Sequence, residues 1–418
     1  MSRRVAVVGA GLAGVTTAYE LAALGLKVQV FERGGSVAEQ ASFASSALLC
    51  PFLPDFGDAA APAPLAWRWR RWRAGRRGGN AASSLAALSQ LSLARTAELR
   101  RSLGLDDEAA DGLLVALTDA RRVAAAETQL EAWKGLGLQL ELLDAEQARR
   151  REPGLNADAP LAGALALAHG GAGNARLFAQ QLRHQAQRLG ASFRFHTTVR
   201  TIATDGAGLT LRHEYTPPLE APTRVQGSER EAGDTLPQSL GPQDERFDAV
   251  VLCNGLDAAS LAGQGLKLAA QHETSVTAPL RLLEAHPDLG PKAGWIDPAL
   301  GLAVARIGQR VRVTGGLAVT DARGKVSADF EALHRSLQHW FPGSVLHQQV
   351  QQGQSRRALP ADGLPLLGAS GTPGVWLNVS PGGSGWGLAC GSAQVLAQRI
   401  AGQTSTLDIA ALGPERLA

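Results

Sequence analysis

The chain has 418 residues, of which 45% are hydrophobic and 19% are charged. This composition excludes a disordered chain and supplies apolar side chains for a large core, divided at this length between two domains. The 41 basic and 38 acidic residues leave a net charge of +3, which does not favour nucleic acid as a partner. Its three cysteines are far apart and form no CxxC pair, so we predict neither a metal site nor a disulfide framework.

The N-terminus begins with two arginines and an apolar run, as a signal peptide does. Glycines interrupt that run and a motif continues it, so we expect no signal peptide here. No apolar stretch reaches the roughly 18 residues of a membrane-spanning helix. We therefore expect a cytoplasmic protein.

The N-terminal segment predicts a compact βαβ unit. A strand at 5–8 is followed by Gly9, Gly11 and Gly14 in a GxGxxG pattern, then by a helix and a second strand that ends at Glu32. Gly9 permits a tight turn, Gly11 the close approach of a pyrophosphate, and Gly14 the packing of the helix on the strand. An acidic side chain at Glu32 can accept hydrogen bonds from ribose hydroxyls, so the segment predicts dinucleotide binding.

The middle of the chain predicts further helices and strands between two polar segments. Irregular structure is expected over 51–79, which contains four prolines, and a solvated loop over 213–246, which is rich in proline and charge. The stretch 301–319 alternates as antiparallel strands do. Helices are expected over 83–103, 120–134 and 175–189, and strands over 192–196, 209–212, 248–252 and 375–379.

Aromatic and basic residues alternate in the run WRWRRWR at 67–73. One interpretation is peripheral contact with the inner face of the cell membrane, with indoles at the lipid interface and arginines on anionic headgroups. The other is a segment beside a pocket, with its tryptophans packed inward and its arginines in water. Nucleic-acid binding by this run is not favoured, given the overall charge balance.

The C-terminal part places a basic pair, a DGxP turn, a strand, a glycine-rich loop and a helix in succession. A second glycine-rich turn from strand to helix can aim several backbone N–H groups at an electron-rich ring edge. That arrangement suits the pyrimidine end of a flavin and favours FAD over NAD as the dinucleotide.

Together these motifs resemble the FAD-dependent D-amino-acid oxidase superfamily, most closely its bacterial D-amino-acid dehydrogenase branch (the small-subunit type). The resemblance spans nearly the whole chain and includes SFASSALLCP at 42–51, REPGL at 151–155, DAVVLCNG at 248–255 and the late run GWGLACGSA. It implies an α/β (α+β two-domain) fold, with a Rossmann-like FAD-binding domain and an antiparallel-sheet substrate domain. The FAD-binding domain is expected to comprise 1–95, 155–258 and 355–418, and the substrate domain 96–154 and 259–354.

The resemblance also implies roles for single residues. Arg357 aligns with an arginine that grips the substrate carboxylate, with Arg356 as the alternative. His169 and Trp386 are candidates for the substrate pocket, and simple packing is the alternative for each. The residues expected to bind FAD are Gly9, Gly11, Gly14, Glu32, Arg33, Ser42, Ala44, Ser45, Ser46, Val199, Gly255, Gly382, Gly383, Gly385 and Trp386.

The implied reaction is oxidative deamination of a D-amino acid to a keto acid and ammonia. A hydride would pass from the α-carbon to flavin N5, and the electrons to a quinone or another acceptor. The chain departs from the family pattern near the active site, with Pro381 for a histidine, Ala358 for a proline and 45–47 for an Asn-Ala-Gly run. The alternatives are therefore a secondary amine or imino acid as substrate (sarcosine, proline, hydroxyproline), or a flavoprotein subunit of a heteromeric dehydrogenase.

Overall fold

The computed structural model describes residues 3–51, 62–75, 81–204, 208–216, 241–263, 265–284, 286, 289–379, 385–405 and 407–417. Its helices are α1 (Leu12–Ala23), α2 (Leu65–Gly75), α3 (Ala81–Leu103), α4 (Ala120–Gly135), α5 (Ala145–Arg151), α6 (Ala175–Arg188), α7 (Ala258–Leu261), α8 (Phe330–Trp340) and α9 (Gly385–Ile400). Its strands are β1 (Arg4–Val8), β2 (Lys27–Phe31), β3 (Leu48–Leu49), β4 (Ala110–Leu117), β5 (Leu140–Asp144), β6 (Gly163–Ala172), β7 (Ser192–Arg194), β8 (Thr197–Thr204), β9 (Leu209–Tyr215), β10 (Gln243–Phe247), β11 (Ala249–Leu252), β12 (Ala269–Pro279), β13 (Gly294–Asp297), β14 (Leu302–Ile307), β15 (Arg310–Thr320), β16 (Gln351–Leu359), β17 (Leu366–Ala369) and β18 (Val375–Val379).

A mainly parallel sheet lies in one half of the molecule. Within the described residues its strand order is β17-β18-β11-β1-β2-β7, and only β17 runs antiparallel to its neighbour. Val5 and Val7 pack against the helices α1, α6 and α9, while Ala6 and Val8 face the layer of β8, β9 and β10. Burial on both faces explains the unbroken apolar run of β1. The order reverses at β1, where ligands of doubly wound sheets bind.

The three strands β8, β9 and β10 form a small antiparallel sheet. The predicted loop over 213–246 was wrong at its ends, because β9 continues to Tyr215 and β10 begins at Gln243. His213 explains the extension, since its buried ring lies 4.9 Å from the Phe31 ring and contacts Glu245. Polar residues here are therefore strand residues with partners, and the remainder of the predicted loop, 217–240, lies outside the described residues.

The second large sheet has the order β16-β12-β15-β14-β13-β4-β6-β3, with β5 paired on β6. All of its described pairs are antiparallel except β4 with β13. One face packs on α8 around Trp295 and Trp340, and the other packs on α4 around Trp133 and Leu165. The antiparallel strands predicted over 301–319 are confirmed as β14 and β15.

The two sheets confirm the expected fold class, but they divide the chain differently from the predicted boundaries. The strand β6, expected in the FAD-binding domain, pairs with β4 and β5 and so belongs to the antiparallel sheet. Helix α3 crosses the predicted boundary at 95 and packs on α9, which covers the parallel sheet. Sheet membership depends on partners far away in sequence, which local patterns do not reveal.

Helix α2 corrects the prediction of irregular structure over 51–79. The prolines of this segment suggested a loop, but Pro62 and Pro64 both precede the helix. The carbonyl oxygen of Pro64 accepts hydrogen bonds from the backbone N–H groups of Trp67 and Arg68, each at 3.0 Å. Proline before the first turn is compatible with a helix because that turn has no upstream partners for its N–H groups.

Candidate active site

A cavity of about 660 Å³ lies between the parallel sheet and the edge of the antiparallel sheet. Its floor is formed by the carboxyl ends of β1, β2 and β11, and its far wall includes Arg356 and Arg357 of β16. The position follows from the topology, because a crevice opens where the strand order of a parallel sheet reverses. Most of the predicted site residues meet here; the lining includes Gly9, Gly11, Glu32, Arg33, Ser42, Ser45, Ser46, Val199, Gly255, Arg357, Gly385 and Trp386.

The turn between β1 and α1 is built around glycines. Gly9 has a φ of +96°, and a Cβ there would lie 2.9 Å from the Asn254 Cα. A Cβ on Gly14 would lie 1.8 Å from the Gly9 carbonyl oxygen, so only glycine lets α1 pack this closely on the strand end. The N-cap residue of α1 is Gly11, which has no side chain with which to cap the helix. Ser42 Oγ accepts a hydrogen bond from the Leu12 N–H at 3.1 Å. The first turn of α1 thus presents N–H groups to the cavity and favours an anion there.

Glu32 stands at the end of β2 with its carboxylate fixed by backbone groups. One oxygen accepts from the Ala10 N–H at 2.6 Å and the other from the Gly34 N–H at 2.7 Å. Each carboxylate oxygen has a second acceptor position, which a ribose hydroxyl can use. Arg33 forms a half-exposed ion pair with Asp257 at 2.7 Å on the rim of the cavity.

The opposite side of this end of the cavity is formed by β8 and the segment after β11. Val199 and Gly255 both line the cavity, and a Cβ on Gly255 would meet nothing within 4 Å. The neighbouring Asn254 was not predicted. Its side-chain oxygen is buried without a hydrogen-bond partner among the described residues. A buried, unpaired acceptor in a cavity wall fits a ligand that donates hydrogen bonds.

The segment that follows Ser42 runs along the middle of the cavity. Ser45 and Ser46 line it, whereas Ala44 does not; Ala44 is buried facing β16, 3.2 Å from where a Cβ of Gly353 would lie. Ala44 was predicted to contact the flavin; in the structure it makes a packing contact between the two halves of the molecule.

Arg312 of β15 holds this same segment in place. Its guanidinium donates to the carbonyl oxygens of Phe43 at 2.8 Å and Ser45 at 3.2 Å, and to Thr277 Oγ1 at 2.8 Å. Burial, and to a smaller extent the neighbouring charge of Arg310, lowers the pKa of Arg312 to about 10. The buried arginine thus links the antiparallel sheet to the segment 42–46, which we call the serine-rich wall.

Trp386 and Gly385 begin α9 and close the cavity at its other end. Trp386 is buried, with its ring centroid 6.3 Å from that of Phe178, and its indole N–H has no partner among the described residues. A buried donor without a partner in the cavity wall fits a ligand that offers hydrogen-bond acceptors, as the flavin ring of FAD does. The predicted residues Gly382 and Gly383 lie outside the described residues.

The far wall of the cavity belongs to the antiparallel sheet. Side chains alternate across a strand, so β12 sends Val276 and Ala278 into the core under α8. Its other face, together with the paired residues of β16, forms a group that we call the polar wall. The polar wall consists of Gln271, Glu273, Ser275, Thr277, Ser355 and Arg357.

Arg357 forms an ion pair with Glu273 at the centre of the polar wall, and both side chains are about nine-tenths buried. The Ser355 hydroxyl lies 3.5 Å from the same guanidinium. The Arg357 Nε is buried without a hydrogen-bond partner among the described residues. Burial lowers the pKa of Arg357 to about 10, which leaves it charged at neutral pH. Arg356, the alternative anchor, also lines the cavity but is exposed to solvent.

His169 does not reach this site. The pairing of β6 with β4 slips between Asp111 and Leu113, so that Leu167 and Gly171 are both paired while the residues between them bulge outward. His169 is exposed on this bulge and is not among the cavity residues. Its predicted place in the substrate pocket is therefore corrected by a β-bulge that sequence periodicity did not reveal.

Three functional candidates were missed by the sequence analysis, namely Asn254, Glu273 and Arg312. Asn254 directly precedes Gly255 after a buried strand, so the neighbouring motif already marked its position. Glu273 lies in QHETS, a polar run inside a strand, which is a signal of a buried polar face. Arg312 gave no local signal, because its partners at 43–45 are distant in sequence.

Comparison with known proteins agrees with this geometry. A D-amino acid dehydrogenase of Cereibacter sphaeroides is 30% identical to this chain, covering 99% of the chain and 95% of that protein. Glycine oxidase of Geobacillus kaustophilus has the same fold, with a TM-score of 0.73 and 21% identity over 99% of this chain and 98% of that one. L-proline dehydrogenase of P. horikoshii has a TM-score of 0.70 and 15% identity over 99% of this chain and 97% of that one.

The family model described as FAD dependent oxidoreductase (DAO) matches residues 4–399, nearly the entire chain. That span includes the glycine turn after β1, the acidic end of β2 and the polar wall. The chain therefore belongs to the DAO family of FAD-dependent oxidoreductases, with FAD as its cofactor.

Proposed function

We propose that this enzyme oxidatively deaminates a D-amino acid to a 2-keto acid and ammonia and passes the electrons to a quinone or another acceptor. When bound, FAD supplies the hydride acceptor, at flavin N5, for the substrate carbon that bears the amine. The observation that carries the proposal is the buried guanidinium of Arg357 in the wall of the nucleotide cavity. The relative named D-amino acid dehydrogenase, 30% identical, supports the substrate class.

The proposed FAD site uses the two ends of the cavity. The glycine turn and the start of α1 receive the pyrophosphate, Glu32 the ribose, and Val199 and Gly255 flank the adenine end. The serine-rich wall and the start of α9 hold the flavin end. The residues proposed to contact or shape this site are Gly9, Gly11, Gly14, Glu32, Arg33, Ser42, Ser45, Ser46, Val199, Asn254, Gly255, Gly382, Gly383, Gly385 and Trp386.

Arg357 binds the substrate carboxylate in this proposal. Its planar guanidinium matches two carboxylate oxygens, and its unpartnered Nε is a donor that the protein itself does not use. Glu273 holds the other side of the guanidinium, so the arginine keeps one orientation before substrate arrives. An anchored carboxylate fixes the α-carbon and thereby supplies much of the orientation that hydride transfer needs.

Trp386 and the serine-rich wall exclude water from the reacting carbon. The amine must lose a proton to release the electron pair that replaces the departing hydride, so the neutral amine is the reactive form. The resulting imine adds water and releases ammonia, which balances the reaction. The polar wall offers Ser355 and Gln271 for positioning the amine, since both share the face of Arg357.

The direct test is anaerobic titration of the FAD-loaded enzyme with D-alanine, L-alanine, sarcosine and L-proline. D-alanine should bleach the visible absorbance of the oxidised flavin, because the substrate reduces it. Bleaching by sarcosine or L-proline alone would show that the substrate is a secondary amine or an imino acid instead. Bleaching by none of a panel of amines would contradict the proposed function.

The matched variants are Arg357→Met and Arg356→Met. Loss of the buried anchor should weaken D-alanine binding about 100-fold, because a charge-assisted bidentate contact disappears. The exposed neighbour should change affinity by less than about threefold. The reverse result would make Arg356 the anchor, and retained affinity in both would remove this wall from the substrate site.

A further inference from the structure

Helix α2 divides its three tryptophans between two sides. Trp67 is buried against Ala269, Val319 and Leu359, at the ends of β12, β15 and β16. Trp69 and Trp72 are instead 56% and 57% exposed. Both interpretations of the sequence placed all three tryptophans in the same environment. In the structure, Trp67 is buried in the protein, and Trp69 and Trp72 face solvent.

The exposed tryptophans continue a stripe that begins at Leu65, which is 80% exposed. Leu65, Trp69 and Trp72 have the spacing i, i+4, i+7 and so share one helix face. Isolated exposed apolar residues are common, but three large ones on a single exposed helix face form a contiguous patch and mark an interaction site. We call Leu65, Trp69 and Trp72 the outer stripe.

Arginines surround the outer stripe. Arg68, Arg70, Arg71 and Arg73 are all exposed, and no acidic residue occurs between 62 and 75. The guanidinium of Arg73 lies 4.8 Å from the Trp69 ring centroid, so cation and indole present one combined surface. Its occupant must therefore be anionic and must also accept indole rings. A layer of anionic lipid headgroups meets both requirements, since indoles prefer the membrane interface and arginines attract acidic lipids.

The buried side of the helix connects this surface to the cavity. Trp67 packs on Leu359 and Ala269, which pair with each other and lie two residues beyond Arg357 and Gln271 on the same faces of β16 and β12. The helix thus covers the end of the polar wall. A surface bound to the outer stripe would lie next to the substrate end of the cavity.

We propose that the outer stripe of α2 docks the enzyme on an anionic lipid surface, with Trp67 fixing the helix to the protein. No described helix is both long and apolar enough to cross a bilayer, so this contact is confined to the interface. It is independent of which substrate the enzyme oxidises.

The test is co-sedimentation of the FAD-loaded enzyme with vesicles of phosphatidylglycerol and phosphatidylcholine, compared with vesicles of phosphatidylcholine alone. The enzyme should bind the anionic vesicles at least about tenfold more tightly and should dissociate in high salt. Trp emission should shift to the blue on binding, because Trp69 and Trp72 leave water. A wild-type enzyme that stays in the supernatant with both vesicles would overturn the proposal.

The decisive variant is Leu65→Ser/Trp69→Ala/Trp72→Ala, which leaves Trp67 in place. It should bind anionic vesicles at least about tenfold more weakly and lose the emission shift. The control is Leu282→Ser/Leu300→Ser, since both leucines are more than half exposed elsewhere. Flavin absorbance and thermal unfolding of both variants report whether they are folded.

Three outcomes would contradict the proposal even if the enzyme binds vesicles. Equal binding by the stripe variant and the wild type would place the lipid contact elsewhere. Equal loss in the control would show a general effect of surface leucines. Loss of self-association rather than of vesicle binding in the stripe variant would make the stripe a contact between copies. Oxidation of substrate with a soluble dye as acceptor should persist in the stripe variant, so failure here is separable from failure of the proposed function.

Discussion

The two ends of the cavity are built on different principles. The proposed nucleotide end uses backbone groups and glycines that lie close together in the sequence, as at Gly9 and Gly14, and the carboxylate of Glu32 is fixed there by backbone N–H groups. The polar wall uses side chains from the two paired strands β12 and β16, held by buried charges such as Arg357 with Glu273. The first design is intolerant of added volume, and the second is intolerant of lost charge.

This contrast explains what each end can vary. A backbone site binds the shared parts of a dinucleotide, so its geometry must stay fixed. A wall of side chains can change its ligand through single substitutions without moving a strand. Two of the departures from the family pattern, those at Ser45–Ser46 and Ala358, line the same cavity as Arg357, and the third, Pro381, lies outside the described residues.

The largest effect should come from adding a methyl group at the nucleotide end. In Gly14→Ala the new Cβ would lie 1.8 Å from a backbone oxygen, so α1 must move away from β1. We expect a loss of about 4 kcal/mol or more in the free energy of unfolding, together with loss of bound FAD on gel filtration. The control is Gly135→Ala at the end of α4, where a Cβ would meet nothing within 4 Å; urea unfolding should change by less than about 1 kcal/mol. Equal stability of the two variants would refute close packing at Gly14.

The next largest effect is the loss of unfolding free energy when the buried ion pair of the polar wall is broken. Arg357→Met and Glu273→Gln should each cost about 3 kcal/mol in urea unfolding, because each leaves a buried charged group without its partner. The double variant should cost clearly less than the sum, with a coupling of about 2 kcal/mol. The same cycle at the half-exposed rim pair, Arg33→Met with Asp257→Asn, should give under about 0.5 kcal/mol. Similar coupling free energies for the Arg357–Glu273 and Arg33–Asp257 pairs would contradict the difference between the buried wall and the exposed rim.

A smaller effect is expected in the pH dependence of the free energy of unfolding, through a buried carboxyl group of the antiparallel half. Glu152, beside the antiparallel sheet, is buried, and burial raises its pKa from 4.5 to about 7 despite hydrogen bonds from the Lys292 and Ala293 N–H groups. Its neutral form therefore stabilises the fold fully below pH 4.5, and this stability is lost as pH rises through about 7. Relative to Glu152→Gln, the wild type should lose roughly 2 to 3 kcal/mol of unfolding free energy between these limits. Parallel stability curves for the two proteins across this range would refute the raised pKa.

Much of the fold could be predicted from the sequence because its signals are local. The helices expected over 83–103, 120–134 and 175–189 are confirmed as α3, α4 and α6. The βαβ unit was specified by glycine spacing and apolar runs within the first part of the chain. Helix α2 was missed because its prolines suggested a loop, although they precede the helix and its apolar residues repeat with helical spacing.

The sequence alone determined the glycine turn after β1, since such a turn needs glycine at fixed positions and those positions are close together in the chain. Only the tertiary structure decided the opposite wall of the cavity. It paired Arg357 with Glu273, bulged His169 into solvent, placed Ala44 in a packing contact and separated Trp67 from the outer stripe. Each of these outcomes depends on strand pairing or side-chain packing between distant segments, and such contacts leave no fixed spacing in the sequence from which they could be inferred.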